Sequence, residues 1–150
     1  VDKNFKEVTI ESNGWKLPAT LTLPRGEKSC PAVILVHGSG PQDRDETIGP
    51  NKPFKDLALG LASKGIAVLR YEKRTRYYGE KALVEGFTVK EETIEDAISA
   101  IDLIYSALSS LLPNIKTNVK NAIVIPRDVF KTNAIVPLST PVEILILLAI

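Results

Sequence analysis

The residues best suited to chemistry are His37-Gly38-Ser39-Gly40-Pro41, which open a polar stretch that runs to Pro53. Just before them stands Ala32-Val33-Ile34-Leu35-Val36, an unbroken apolar run of the kind buried on both faces of a parallel sheet. The seventeen residues from His37 to Pro53 therefore lie at a strand's carboxyl end, where open α/β sheets bind ligands. Strand-to-helix connections usually take about 2 to 6 residues, and longer ones tend to carry function. Gly38 and Gly40 have no side chain and permit positive φ, so backbone N–H groups around Ser39 can converge on one point as an anion nest. An oxyanion hole requires that geometry, with donors fixed in advance where negative charge will develop. The same two glycines could also do no more than turn the chain.

Other constellations are weaker. Ser39 and His37 invite a nucleophile-and-base pairing, but residues two apart in a turn rarely present hydroxyl and imidazole to each other, so a backbone donor is preferred. Asp43, Arg44, Asp45 and Glu46 could supply paired carboxylates, although Arg44 between them favours solvated or locally ion-paired side chains. The bases Arg70, Lys73, Arg74 and Arg76 mix with Tyr71, Tyr77 and Tyr78 as in single-strand nucleic-acid binders. Glu72 and Glu80 among them, and a formal net charge of +1, favour a structural loop and no nucleic-acid partner. One Cys and one His cannot furnish the ligands of a His/Cys zinc site, so no metal or cofactor is expected and Cys30 reads as an inert thiol. Trp15 reads as a hairpin packing residue.

These residues need a scaffold, and 150 residues with 44% hydrophobic and 25% charged content are one globular domain's worth of chain. Val8 to Glu11 and Leu17 to Leu23 alternate at period 2 around Asn13-Gly14, a type I′ turn signal, and predict an N-terminal β-hairpin. Phe54, Leu57, Ala58, Leu61 and Ala62 fall at helical spacing between Pro53 and Gly65. Ile66 to Leu69 is a second buried strand, which makes a βαβ unit with a right-handed crossover. A longer helix is expected from Thr88, capped with Glu91, to about Leu112, its core face formed by Ile94, Ala97, Ile98, Ile101, Ile104 or Tyr105, and Leu108. The acids Glu91, Glu92, Glu95 and Asp96 sit where its dipole favours them. Ala122 to Ile125 reads as a third parallel strand. Ile144 to Ile150 is too short to span a bilayer and reads as a strand or helix cut off by the chain end.

Taken in order, the strand ending in His-Gly-Ser-Gly-Pro, the continuation Gln42 to Thr47, Gly49 to Phe54, and Leu69-Arg70-Tyr71-Glu72-Lys73-Arg74 after the next strand resemble the N-terminal half of an α/β-hydrolase. The similarity runs from about Phe5 to Leu112 and is nearest to the bacterial esterases, the dienelactone-hydrolase-like enzymes and the serine-aminopeptidase-like enzymes. It implies a three-layer α/β/α sandwich with a mostly parallel sheet and an N-terminal hairpin, a truncated α/β-hydrolase-like fold. It implies carboxylic ester hydrolysis, or less readily amide hydrolysis, through a serine acyl-enzyme, with the Ser39 backbone N–H in the oxyanion hole, Gly38 and Gly40 shaping its turn, and His37, Arg44 and Asp45 shaping the loop. Thr75 stands where many members have glycine.

The departure is equally specific. Members follow the long helix with a strand and a Gly-x-Ser-x-Gly elbow that exposes the nucleophile. Here Ala122 to Ile125 runs into Pro126-Arg127-Asp128-Val129, all nine glycines stand at or before Gly86, and His37 is the only histidine. No catalytic nucleophile, acid or base is identified, so the chain is expected to keep only the oxyanion-hole half and to be inactive alone. Residues 1–150 are expected to form one partial domain in which 113–150 is diverged or non-native. The competing expectation is a non-catalytic binding or interaction domain that uses the nest. The expected partner of a completed site is a small ester or acyl substrate. No membrane span is expected, and an unpaired sheet edge would favour self-association. A start at Val without an apolar signal core leaves the compartment open, with the cytoplasm favoured.

Overall fold

A computed structural model describes residues 4–26, 30–111, 122–125 and 144–148. The chain opens with strands β1 (Phe5–Ser12) and β2 (Trp15–Thr22), antiparallel and in register from Phe5 opposite Thr22 to Ser12 opposite Trp15. Asn13 (φ 46°) and Gly14 (φ 84°) make the two-residue turn, both in the positive-φ conformation that matches the twist of paired strands. Next come β3 (Ala32–Val36), α1 (Pro53–Ala62), β4 (Ala67–Tyr71), a short helix α2 (Arg74–Tyr78) and α3 (Glu95–Leu111). β5 (Ala122–Ile125) and β6 (Ile144–Leu148) complete a six-stranded sheet of order β1-β2-β4-β3-β6-β5. The pairings β4–β3, β3–β6 and β6–β5 are parallel, and the hairpin joins antiparallel through β2 and β4.

Ala122 to Ile125 is a parallel strand, as expected, and it pairs with β6. The tract at 144–148, left open between strand and helix, is a strand that lies between β3 and β5, in register with all of β3. Its run Ile-Leu-Ile-Leu-Leu is longer and wholly apolar, the pattern of a strand flanked on both sides, whereas the four-residue β5 lies at an edge. Residues 126–143, including the stretch where the elbow would stand, lie outside the described residues.

Alternation along the strands divides the core between two faces. On one, Val33, Leu35 and Val68 pack with Phe54 and Ala58 of α1. On the other, Ile34, Val36, Leu69, Tyr71 and the hairpin residues Ile10, Leu17, Ala19 and Leu21 pack with Ala97, Ala100, Ile104 and Leu108 of α3. The result is the expected three-layer sandwich. The face of the long helix requires correction: Ile94 and Ile98, expected in the core, are exposed, and of the alternatives Ile104 and Tyr105 it is Ile104 that is buried. The small residues Ala97 and Ala100 turn toward the sheet and let the helix approach it, which leaves Ile94, Ile98 and Tyr105 roughly a quarter turn away. An apolar arc that wide does not say which flank is buried. The helix is preceded by a single π turn, Lys90–Ile94, and Thr88 and Glu91 do pair there: the Thr88 N–H donates to Glu91 Oε2 at 2.8 Å.

Candidate active-site loop

The polar loop leaves β3 through His37, which is buried and held between two rings, 4.9 Å from Tyr71 edge-on and 5.7 Å from Phe54. Burial pushes its pKa down to about 4, and the Lys73 charge adds to the shift, so the imidazole is neutral at pH 7. It is a wedge in the strand end, while Ser39 is exposed. Gly40 adopts φ 82°, a conformation that costs glycine little and other residues much. The Gly38 N–H points to Glu46 Oε1 at a long 3.5 Å, and the Gly38 carbonyl accepts from Lys73 Nζ at 2.7 Å. The Ser39 carbonyl accepts from Gln42 Nε2 at 3.4 Å. Among the described residues no hydrogen bond uses the N–H of Ser39 or of Gly40. Within the described residues the candidate donor thus has no partner, while the Gly38 peptide before it and the Ser39 carbonyl are held.

Asp43 folds the next turn: its carboxylate accepts from the N–H groups of Asp45 at 3.1 Å and Thr47 at 2.9 Å, and from the Thr47 hydroxyl at 2.6 Å. Burial alone would raise its pKa, but these bonds to the ionised form outweigh it and hold the pKa below the ordinary value. The Asp45 carbonyl accepts the Phe54 N–H at 3.1 Å and so fastens the loop to the start of α1.

Arg44 and Asp45, expected to shape the loop, both reach the sheet. Arg44 donates through Nε to Glu72 at 2.8 Å and through Nη1 to Glu7 and to the Thr20 hydroxyl, each at 2.6 Å. Asp45 pairs with the buried Arg70 and with Lys52 Nζ at 3.0 Å. Of the loop's carboxylates Asp45 is thus ion-paired, whereas Asp43 is held by hydrogen bonds from Asp45 and Thr47. A shallow cleft lined by Glu7, Thr20, Arg44, Asp45 and Arg70 lies beside this network, and Ser39 is not among its lining residues.

The segment after β4 supplies what sequence reasoning missed. Lys73 is buried, its ammonium between Gly38 O and Glu92 Oε1 at 3.1 Å, and its own N–H donates to Gln42 O at 3.2 Å. Arg74 is also buried; it reaches Asp96 at 2.5 Å and Ser12 at 3.3 Å and lies 5.6 Å from the Trp15 ring centre. Trp15 itself packs edge-on against Tyr78 of α2, 4.7 Å away. Asp96, grouped above with acids favoured by the helix dipole, is wholly buried. Its place beside Ala97 and Ala100 on a helix was the available signal; for Lys73 there was none.

A mostly parallel sheet between α1 and α3, entered by an antiparallel hairpin and carrying a long polar loop at the end of β3, is the architecture of the α/β-hydrolase fold, and the chain has that fold in truncated form. Over 102 residues it is 55% identical to Esterase EstD of Thermotoga maritima, a match that covers 68% of this chain and 24% of that protein. The chain thus spans about a quarter of the length of the curated relative it matches. Two solved structures share the fold. The hyperthermophilic esterase from the archaeon Pyrobaculum calidifontis superposes with a TM-score of 0.53 at 20% identity, over 81% of this chain and 34% of that one. Brefeldin A esterase, a bacterial homologue of human hormone-sensitive lipase, gives 0.53 at 20% identity over 74% and 30%. No family model matches the chain. Among the described residues no helix is long and apolar enough to cross a membrane.

Proposed function

We propose that this chain is the oxyanion-hole side of a carboxylic ester hydrolase, with the Ser39 N–H as the donor it contributes. The observation that carries this is the unpartnered Ser39 N–H at the carboxyl end of β3, in a loop anchored on both sides of it. In ester hydrolysis a nucleophile adds to the carbonyl carbon, the carbonyl oxygen takes up negative charge, and donors fixed beforehand stabilise it; one such donor is worth about 3 kcal/mol in the transition state. Gly38 and Gly40 shape the turn, and Arg44 and Asp45 brace it against the sheet. The substrate class is a small ester or, less readily, an amide.

The attacking group is a separate requirement. His37 is the sole histidine and is buried as a neutral wedge, and Pro126-Arg127-Asp128-Val129 has neither the serine nor the glycines of an elbow. The chain alone therefore binds oxyanions and does not turn over an ester, and residues 113–150 form a segment diverged from the family pattern. The lack of an elbow equally favours a second reading, a non-catalytic domain that presents the same nest to a carboxylate or phosphate. Acetate titration followed by amide NMR tests the common element. The Ser39 amide resonance should move saturably, and a Ser39 amide that does not respond contradicts the proposal. Coding DNA with a Gly-x-Ser-x-Gly downstream or in another frame would favour the hydrolase over the binding domain.

A further inference from the structure

We infer that Lys73 is the positioning residue of the oxyanion site: by gripping the Gly38 carbonyl it aims the Ser39 N–H and makes it a stronger donor. Lysine is almost never buried unless paired, yet the Lys73 side chain is only 3% exposed. Its ammonium is engaged by Gly38 O at 2.7 Å and by Glu92 Oε1 at 3.1 Å. The Gly38 carbonyl and the Ser39 N–H belong to one peptide unit, and among the described residues no peptide bond is cis. In a trans unit the two lie in one plane and point in opposite directions, so fixing the oxygen fixes the direction of the N–H. A cation on the carbonyl also polarises the amide and strengthens its N–H as a donor.

A second tie acts a few residues on, where the Lys73 N–H donates to Gln42 O at 3.2 Å. One residue thus brackets Ser39-Gly40-Pro41, a segment whose glycine would otherwise leave it conformationally freer. Glu92 is held in turn by the Thr75 hydroxyl at 3.0 Å, so the order Thr75, Glu92, Lys73, Gly38 runs from α2 through the π turn before α3 to the loop. This role rests on the reading of Ser39 as an oxyanion donor, and the experiment must separate the two.

Isotope-labelled chain carries two readouts, the Gly38 carbonyl carbon shift without ligand and the acetate-induced shift of the Ser39 amide. Lys73→Met should move the Gly38 carbonyl resonance and weaken acetate at Ser39 by about tenfold, the loss of one charge-assisted contact, while Lys73→Arg restores most of the affinity. If Lys73→Met binds acetate at Ser39 as the parent does, the inference is overturned and the oxyanion reading stands. If the parent's Ser39 amide ignores acetate while Lys73→Met still moves Gly38, the oxyanion reading fails and takes the positioning role with it. Glu92→Gln covers the case in which Lys73→Met does not fold. Removing a nearby negative charge should tighten acetate binding through the general field, whereas loss of positioning weakens it. Weaker binding supports the inference, and unchanged or tighter binding overturns it.

Discussion

Arg74 and Asp96 meet as a buried ion pair, Nη2 to Oδ1 at 2.5 Å, and so join the helix after β4 to the first turn of α3. Burial raises the Asp96 pKa even though the bonds from Arg74 and Ser12 oppose that shift, so the carboxylate is kept charged at some cost. Removing one partner leaves the other charge buried and unpaired. Asp96→Ala should therefore cost about 3–5 kcal/mol, read as a lower urea midpoint with unchanged slope. A loss no larger than that of a surface substitution would show that the pair does not join these elements.

Stability should fall on mild acidification because of His37. Its folded pKa of about 4 lies below the ordinary 6.5, so between those values the unfolded chain binds a proton that the folded chain refuses. The contribution is fully present above pH 6.5 and is lost as the pH falls toward 4, roughly 3 kcal/mol in all. Urea unfolding at pH 7, 6, 5 and 4 measures it, with His37→Phe as the reference. A parent and a variant with parallel pH profiles would contradict the buried neutral imidazole.

The exposed flank of α3, with Ile94, Ile98 and Tyr105, and the outer edge of β1 leave apolar surface and strand hydrogen-bonding groups uncovered among the described residues. We propose that the chain self-associates through such surface. Sedimentation velocity should show a weight-average coefficient that rises with concentration, less steeply for Ile98→Lys, whose stability should stay within about 0.5 kcal/mol of the parent. A single monomer boundary at every concentration would count against this.

Legibility followed the range of the interactions. The hairpin, β3, α1 and β4 were readable because period-2 alternation, Asn13-Gly14 and the Pro53 and Gly65 boundaries are local signals. The loop from His37 to Pro53 stood out for the same reason, through its length and glycines at a strand end. What escaped depends on contacts between distant residues. Lys73 meets Gly38 across 35 positions and Arg44 meets Glu7 across 37, and nothing near either residue announces its partner. The rotation of α3 was hidden by apolar residues on both flanks of its buried stripe. The order β3-β6-β5 was hidden because two apolar runs compete for one neighbour, a choice made by packing over the whole sheet.

We propose that the chain holds a donor for a developing oxyanion and lacks the group that would create one. Hydrolysis of p-nitrophenyl butyrate by the purified chain at pH 7 tests it most directly. The expected result is p-nitrophenol release no faster than in buffer, with no burst. Multiple turnovers per chain that disappear on replacing His37 would contradict it.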